Sequence, residues 1–391
     1  MRRSTVATAL VAVFISYLGT PAEVQAGGYD ETDLVADVSP LIDQNRIEHK
    51  AKIVDPNLKN SWGIAESTTS PFWISDNNAG VATLYQVPGA NNTPVSINQP
   101  LSVVSIPSPG NPTGKSGTPT GTVFNTGFAS GAFKINGFDA MGAATSAPAR
   151  FLFATEDGTI VGWNPQVFPQ GQTGPTPPGS TFGIIAVENA GARYKGLAIA
   201  TDPSMTRSRL YAANFASGKV EMYEDNFTTV TMFTDPHIPP PFHPFNVAVI
   251  DNKLFVTFAI RNPHTGDPVR GEGTGFVDVF DLDGTFRQRF VEGGHGQLKA
   301  PWGMAHVPPG FGALGGTLWI GDFGDGKINA FDLTGAFIDK VRDPNGHPIV
   351  IDGLWALQVG NGGAGGLANT LYFTAGPNDE KDGLFGSLTP H

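Results

Sequence analysis

The chain is organised by one repeating unit, written without interruption in the stretch that begins at Trp302, WGMAHVPPGFGALGGTLWIGDFGDGKINAFDLTG. It holds an apolar strand (WGMAHV), a glycine-rich connection, a second strand (TLWIGDF), a tight GDG turn and an alternating third strand (KINAFDL). A unit of this kind cannot bury its apolar faces alone, so it demands sisters stacked beside it. Stretches equivalent to its first strand recur as SWGIAES (61–67), TGTVFN (120–125), YKGLAIA (194–200), PFNVAVI (244–250), PWGMAHV (301–307) and GLWALQV (353–359). Small residues recur in them, as expected for innermost strands that converge on a narrow channel.

Each inner strand is followed by a second apolar strand, a polar turn and a third strand of period-two pattern. DLDG (281–284) and DLTG (332–335) supply hairpin turns at matching places. Outermost strands follow in the first five repeats and not in the sixth, where the chain runs out at GLFGSLTPH. The missing strand is expected from DLVADV (33–38), which would close the ring and remove an open sheet edge. The expectation is an all-β fold, a six-bladed β-propeller closed by the N-terminal strand. With 50 Gly, 32 Pro and 27 Phe but only 15% charged residues, composition suits many short strands joined by turns. Pro/Gly-rich stretches at 88–120 and 164–181 read as surface connections, and the charged excursion 259–275 as a lid or site wall.

Arg2 and Arg3, an apolar run from Val6 to Leu18 and a small-residue site ending at Ala26 read as a signal peptide over 1–26. Residues 27–391 then form one exported domain, periplasmic or extracellular, with no membrane span after processing. With no cysteine, thiolate chemistry is excluded. A net charge of -11 argues against nucleic-acid partners, since phosphate neutralisation needs excess Lys and Arg.

The motifs DPNLKNSWGIA, PFWISDNNAGVATLY, FATEDGTIVGWNP, APWGMA, GDFGDGKINAFD and GLWALQVGNG together resemble a largely uncharacterised family of secreted bacterial proteins related to NHL-type propellers. More remotely, the architecture is similar to gluconolactonase and regucalcin-like propellers. That resemblance implies a central divalent cation held by Glu, Asn and Asp.

In a propeller the connections into the inner strands and the turns between second and third strands share one face. Asp76, Glu156, Asn214 and Asp322 fall on those turns and are the candidate ligands of a divalent cation such as calcium, which takes oxygen donors. His243, His295 and Arg261 fall on the same face and are candidate acid–base and carboxylate-neutralising groups. Trp62, Trp302, Trp355 and Phe245, at matching inner-strand starts, would form an aromatic ring for flat ligands or pack between blades. Three readings stay open: a monomer binding a small molecule, carbohydrate or extracellular protein at the channel mouth; a metal-dependent hydrolase of lactonase type; and a polysaccharide lyase or hydrolase.

Overall fold

A computed structural model describes residues 27–88, 94–174, 178–202, 207–293 and 296–391. The expected signal peptide and His295 lie outside these residues. Six sheets surround one axis, the expected propeller, all antiparallel except that Ile53–Val54 adds in parallel at the edge of the sixth. In the fifth blade Pro301–His306, Leu318–Asp322, Ile328–Phe331 and Phe337–Lys340 run from axis to rim in chain order. The first blade differs only in its rim, where Ser96–Ile97 and Val103–Ser105 both pair with Val81–Gln86. The second carries an extra hairpin, Lys134–Phe138 with Ala144–Pro148, between its first two strands. Among the described residues the one α-helix is a four-residue turn, Pro377–Glu380, beside three short 3-10 turns, and no helix is long and apolar enough to cross a membrane.

The ring closes as expected: Tyr29–Ala36 pairs antiparallel with Leu384–Pro390, from Tyr29 opposite Pro390 to Ala36 opposite Leu384. Tyr29 anchors this seam to the fifth blade. Its ring packs edge-on to Trp319, and its hydroxyl donates to the Phe311 carbonyl (2.9 Å) while accepting from the Leu314 N–H (3.0 Å).

The inner strands approach one another closely, which explains their glycines. A Cβ on Gly63 would stand 2.4 Å from the Thr120 carbonyl oxygen, and one on Gly121 2.4 Å from the Leu197 nitrogen, both backbone atoms of the next blade. Any larger residue there would push two blades apart.

Every inner strand also slips register against its neighbour at the same place: between Ser61 and Ile64, Pro119 and Thr122, Tyr194 and Gly196, Pro244 and Asn246, Pro301 and Gly303, and Leu354 and Leu357. A bulge re-aims the side chain that loses its partner. The re-aimed residues are Trp62, Thr120, Lys195, Phe245, Trp302 and Trp355, one from each blade, and all are buried. The N–H groups freed nearby are caught by threonines of the second strand: Thr257 accepts from Asn246 (3.0 Å) and Thr374 from Ala356 (3.1 Å).

Candidate functional site on the propeller axis

Those six positions build a plug. Trp62 stacks on Trp355 with ring centroids 3.6 Å apart, and Trp355 stacks on Phe323 at 4.0 Å. Trp302 and Phe245 meet Trp355 edge-on at 5.9 Å each. The aromatic set is therefore packed core that shuts the channel, and of its four rings Trp302 alone lines the open cavity. Two of its three indoles are tied in place, Trp302 Nε1 donating to the Lys195 carbonyl (3.0 Å) and Trp355 Nε1 to Asn60 Oδ1 (3.0 Å), while the buried Trp62 Nε1 has no hydrogen-bond partner among the described residues.

Lys195 is the one charged member of the six. Its Nζ lies 4.8 Å from the Trp62 ring centre and pairs with Glu156 from the second blade. Burial alone would raise the Glu156 carboxyl, but the Lys195 ammonium and the Asn77 amide (3.1 Å) hold it below its ordinary range. Asn60 donates to Glu380 (3.0 Å). The 259–275 excursion completes the cover: Arg270 lies 4.2 Å over Phe323 and faces Asp379 (3.5 Å) and Glu380 (3.6 Å). This excursion thus lies over the plugged end through an exposed ion-pair cluster.

The four expected cation ligands do not converge here. Asp76, Asn214 and Asp322 each end the second strand of a blade, and each bonds the residue seven positions on, in the third strand of the same blade. Thr83 Oγ1 donates to Asp76 (2.7 Å), Asn214 Nδ2 to Glu221 (2.7 Å), and Asn329 Nδ2 to Asp322 (2.9 Å). Complete burial pushes the carboxyls of Asp76 and Asp322 well above their ordinary range. In the second blade that position is Thr155, which bonds Thr159. Glu156 stands one residue further along and so reaches the axis.

His243 and Arg261 are neighbours at the same end, between the third and fourth blades. The His243 ring donates through Nδ1 to the Phe215 carbonyl (2.7 Å), and burial together with the Arg261 charge lowers its pKa, so the imidazole is neutral. The pair lies beside the plug, not on it.

The open cavity is at the opposite end, where the inner strands finish. It is a funnel of about 490 Å³ that ends on Asn246 and Trp302. Most of its lining side chains are aliphatic, including Ile64, Val123, Ile199, Val249 and Leu357, while nearly half of the surface it exposes is polar. Asn246 spans two blades, donating to the Trp302 carbonyl (2.8 Å). On one wall Gln358 donates to Glu66 (2.8 Å). Burial pushes the Glu66 carboxyl up to about 8, against the lowering effect of Gln358, so this acid is protonated at neutral pH. At the rim His306 Nδ1 lies 3.5 Å from Asp251. None of these groups was singled out from sequence, although Glu66, Asp251 and His306 all sit at or just past inner-strand ends, where a polar residue interrupts an apolar run.

No protein-family model matches the chain. It is 29% identical over 349 residues to an uncharacterized protein of Acanthamoeba polyphaga mimivirus, covering 87% of this chain and 77% of that one. To a second such mimivirus protein it is 30% identical over 344 residues, covering 85% and 81%. Among solved structures, virginiamycin B lyase from Staphylococcus aureus aligns over 92% of this chain and 98% of its own, at 13% identity and a TM-score of 0.44. A gluconolactonase from Xanthomonas campestris aligns over 66% and 86%, at 13% and 0.35. Both are propellers, and likenesses this remote carry no argument about chemistry. The expected kinship with secreted bacterial proteins gains no support from these relatives, which are viral.

Proposed function

The chain belongs to the family of the mimivirus protein to which it is 30% identical, and from its own axis we propose that it is a binding protein for a small organic molecule with both apolar and polar surface, taken up in the open funnel. The observation that carries this reading is the dead-ended aliphatic funnel with a neutral carboxyl in its wall. Its volume falls within the range of small-molecule sites, roughly 300 to 1,000 Å³. Aliphatic walls supply affinity by removing apolar surface from water. Glu66, neutral and braced by Gln358, stands in the wall with its second carboxyl oxygen buried and without a partner among the described residues. The rim pair His306 and Asp251 adds polarity where a ligand would leave the funnel. At the other end Lys195 is paired with Glu156 and Arg270 with Asp379 and Glu380, which leaves those charges little free energy to offer a ligand.

The test is a thermal-shift and native mass-spectrometry screen with small apolar ketones, esters and lactones. Wild type is compared with Ile199→Trp, which fills the funnel, and Glu66→Gln. Binding at one equivalent that Ile199→Trp abolishes supports the reading. Hits that survive in Ile199→Trp, or an absence of hits with every class, overturn it. Turnover of an ester or lactone would instead make the funnel an active site.

A further inference from the structure

Outside the axis, a second constellation lies at the seam where the ring closes. We propose that Glu31, Asp33 and His49 form a binding site for one divalent transition-series cation, zinc being the ion their donors suit best. One ligand atom from each of the three lies within 4.8 Å of the other two. Glu31 and Asp33 belong to the closing strand Tyr29–Ala36, and His49 to the short strand Glu48–His49 in the strap that follows it. One imidazole nitrogen with carboxylate oxygens is a zinc-type donor set, whereas calcium and magnesium favour oxygen alone.

The imidazole gives the second, independent observation. His49 is 3% exposed, and its Nε2 has no hydrogen-bond partner among the described residues. Its Nδ1 faces Asp33 at 3.1 Å, and Nε2 is aimed at Asp43, 3.7 Å away. A histidine that ligates a metal through one nitrogen almost always gives its other N–H to a carboxylate or carbonyl. A cation on Nδ1 fixes the Nε2–H tautomer and turns the unpartnered nitrogen into a donor directed at Asp43.

The surrounding groups are already oriented. Ile47 N–H holds Asp43 (2.7 Å), and Lys50 N–H holds the second oxygen of Asp33 (3.1 Å). Three carboxylates, Glu31, Asp33 and Asp43, face one imidazole, while the Lys50 ammonium turns to Glu48 at 3.6 Å. Among the described residues no Lys or Arg side chain pairs with any of the three. A dication supplies the missing charge and links the closing strand to its strap. Because the ligands are brought together by the folded packing of the strap against the closing strand, the ion binds the folded state and stabilises it by mass action.

The experiment uses the chain from residue 27 onward, treated with chelator and dialysed. Zinc, manganese, calcium and magnesium chlorides are compared by thermal melting and zinc by calorimetric titration. Expected are a 1:1 zinc complex, a melting temperature raised by roughly 5 °C, and smaller shifts with calcium and magnesium. Glu31→Gln, an exposed change that should leave the fold alone, loses most of the shift. Asp43→Asn keeps the stoichiometry but weakens affinity about 10- to 100-fold. X-ray absorption on the zinc form shows a nitrogen donor beside oxygens, which keeps the proposal testable if His49→Gln fails to fold. A zinc shift unchanged in Glu31→Gln, an all-oxygen zinc shell, or no zinc-specific shift overturns it.

Discussion

Replacing Lys195 by methionine tests whether the plugged end is held by its buried ion pair. Methionine keeps the length and apolar stem beside Trp62 and Phe215 but removes the ammonium that faces Glu156. Breaking a buried pair by removing one partner costs about 3 to 5 kcal/mol, because the remaining charge is stranded. Two features reduce that figure here: the Glu156 side chain is 17% exposed, and it keeps the Asn77 amide. Loss of the cation over the Trp62 ring adds back about 1 kcal/mol. The expected cost is therefore about 3 kcal/mol, measured by urea unfolding at pH 7. Glu156→Gln in the same chain removes the stranded charge, and the double variant should return to within about 1 kcal/mol of wild type, since a buried pair exchanged for neutral groups is often nearly neutral. A cost below about 1 kcal/mol for Lys195→Met, or a double variant no more stable than the single, would refute this account of the plug.

Three further outcomes follow from the same geometry. Glu66 has a folded-state pKa of about 8 against an ordinary 4.5, so between those values the folded chain holds a proton that the unfolded chain has shed. The stability of wild type relative to Glu66→Gln should therefore be full below pH 4.5 and fall as pH rises to 8, by about 2 kcal/mol once solvent at the funnel wall is allowed for; a pH-independent difference would exclude the buried neutral acid. Gly121→Ala places a Cβ against the backbone of the third blade and should cost about 3 kcal/mol in urea unfolding, whereas a cost under about 1 kcal/mol would show that the blades can spread. Deleting residues 27–40 bares the edge of Leu384–Pro390 and should lower the melting temperature of the whole ring and promote aggregation; an unaltered melt would show that closure does not depend on this strand.

The propeller was legible because its information is local. Strand alternation, DLDG and DLTG turns and the absent sixth outer strand are all written within a few residues, and the ring they predict is the ring that forms. The hairpin of Lys134–Phe138 and Ala144–Pro148 escaped notice for the complementary reason. Its second strand buries no residue fully and its first buries only Ile135, so the alternation that could be read is a single residue long.

The site was less legible because side-chain direction depends on pairing, which is not local. Counting by twos assigns a face to every strand residue, and a bulge breaks the count without any necessary mark in its own strand. Asp76, Asn214 and Asp322 fell on the expected turns, yet ending the second strand points them back at the third; Glu156, one residue later, points at the axis. The bulge positions do leave one trace across repeats. Aligned on their inner strands, the six read Trp62, Thr120, Lys195, Phe245, Trp302 and Trp355. A lysine in a column that is otherwise aromatic or small has to be neutralised inside the plug, and the acid that neutralises it must come from a neighbouring blade. That requirement singles out Glu156 from the other turn acids on physical grounds, and it makes the plugged end a structural lock while the funnel end stays open.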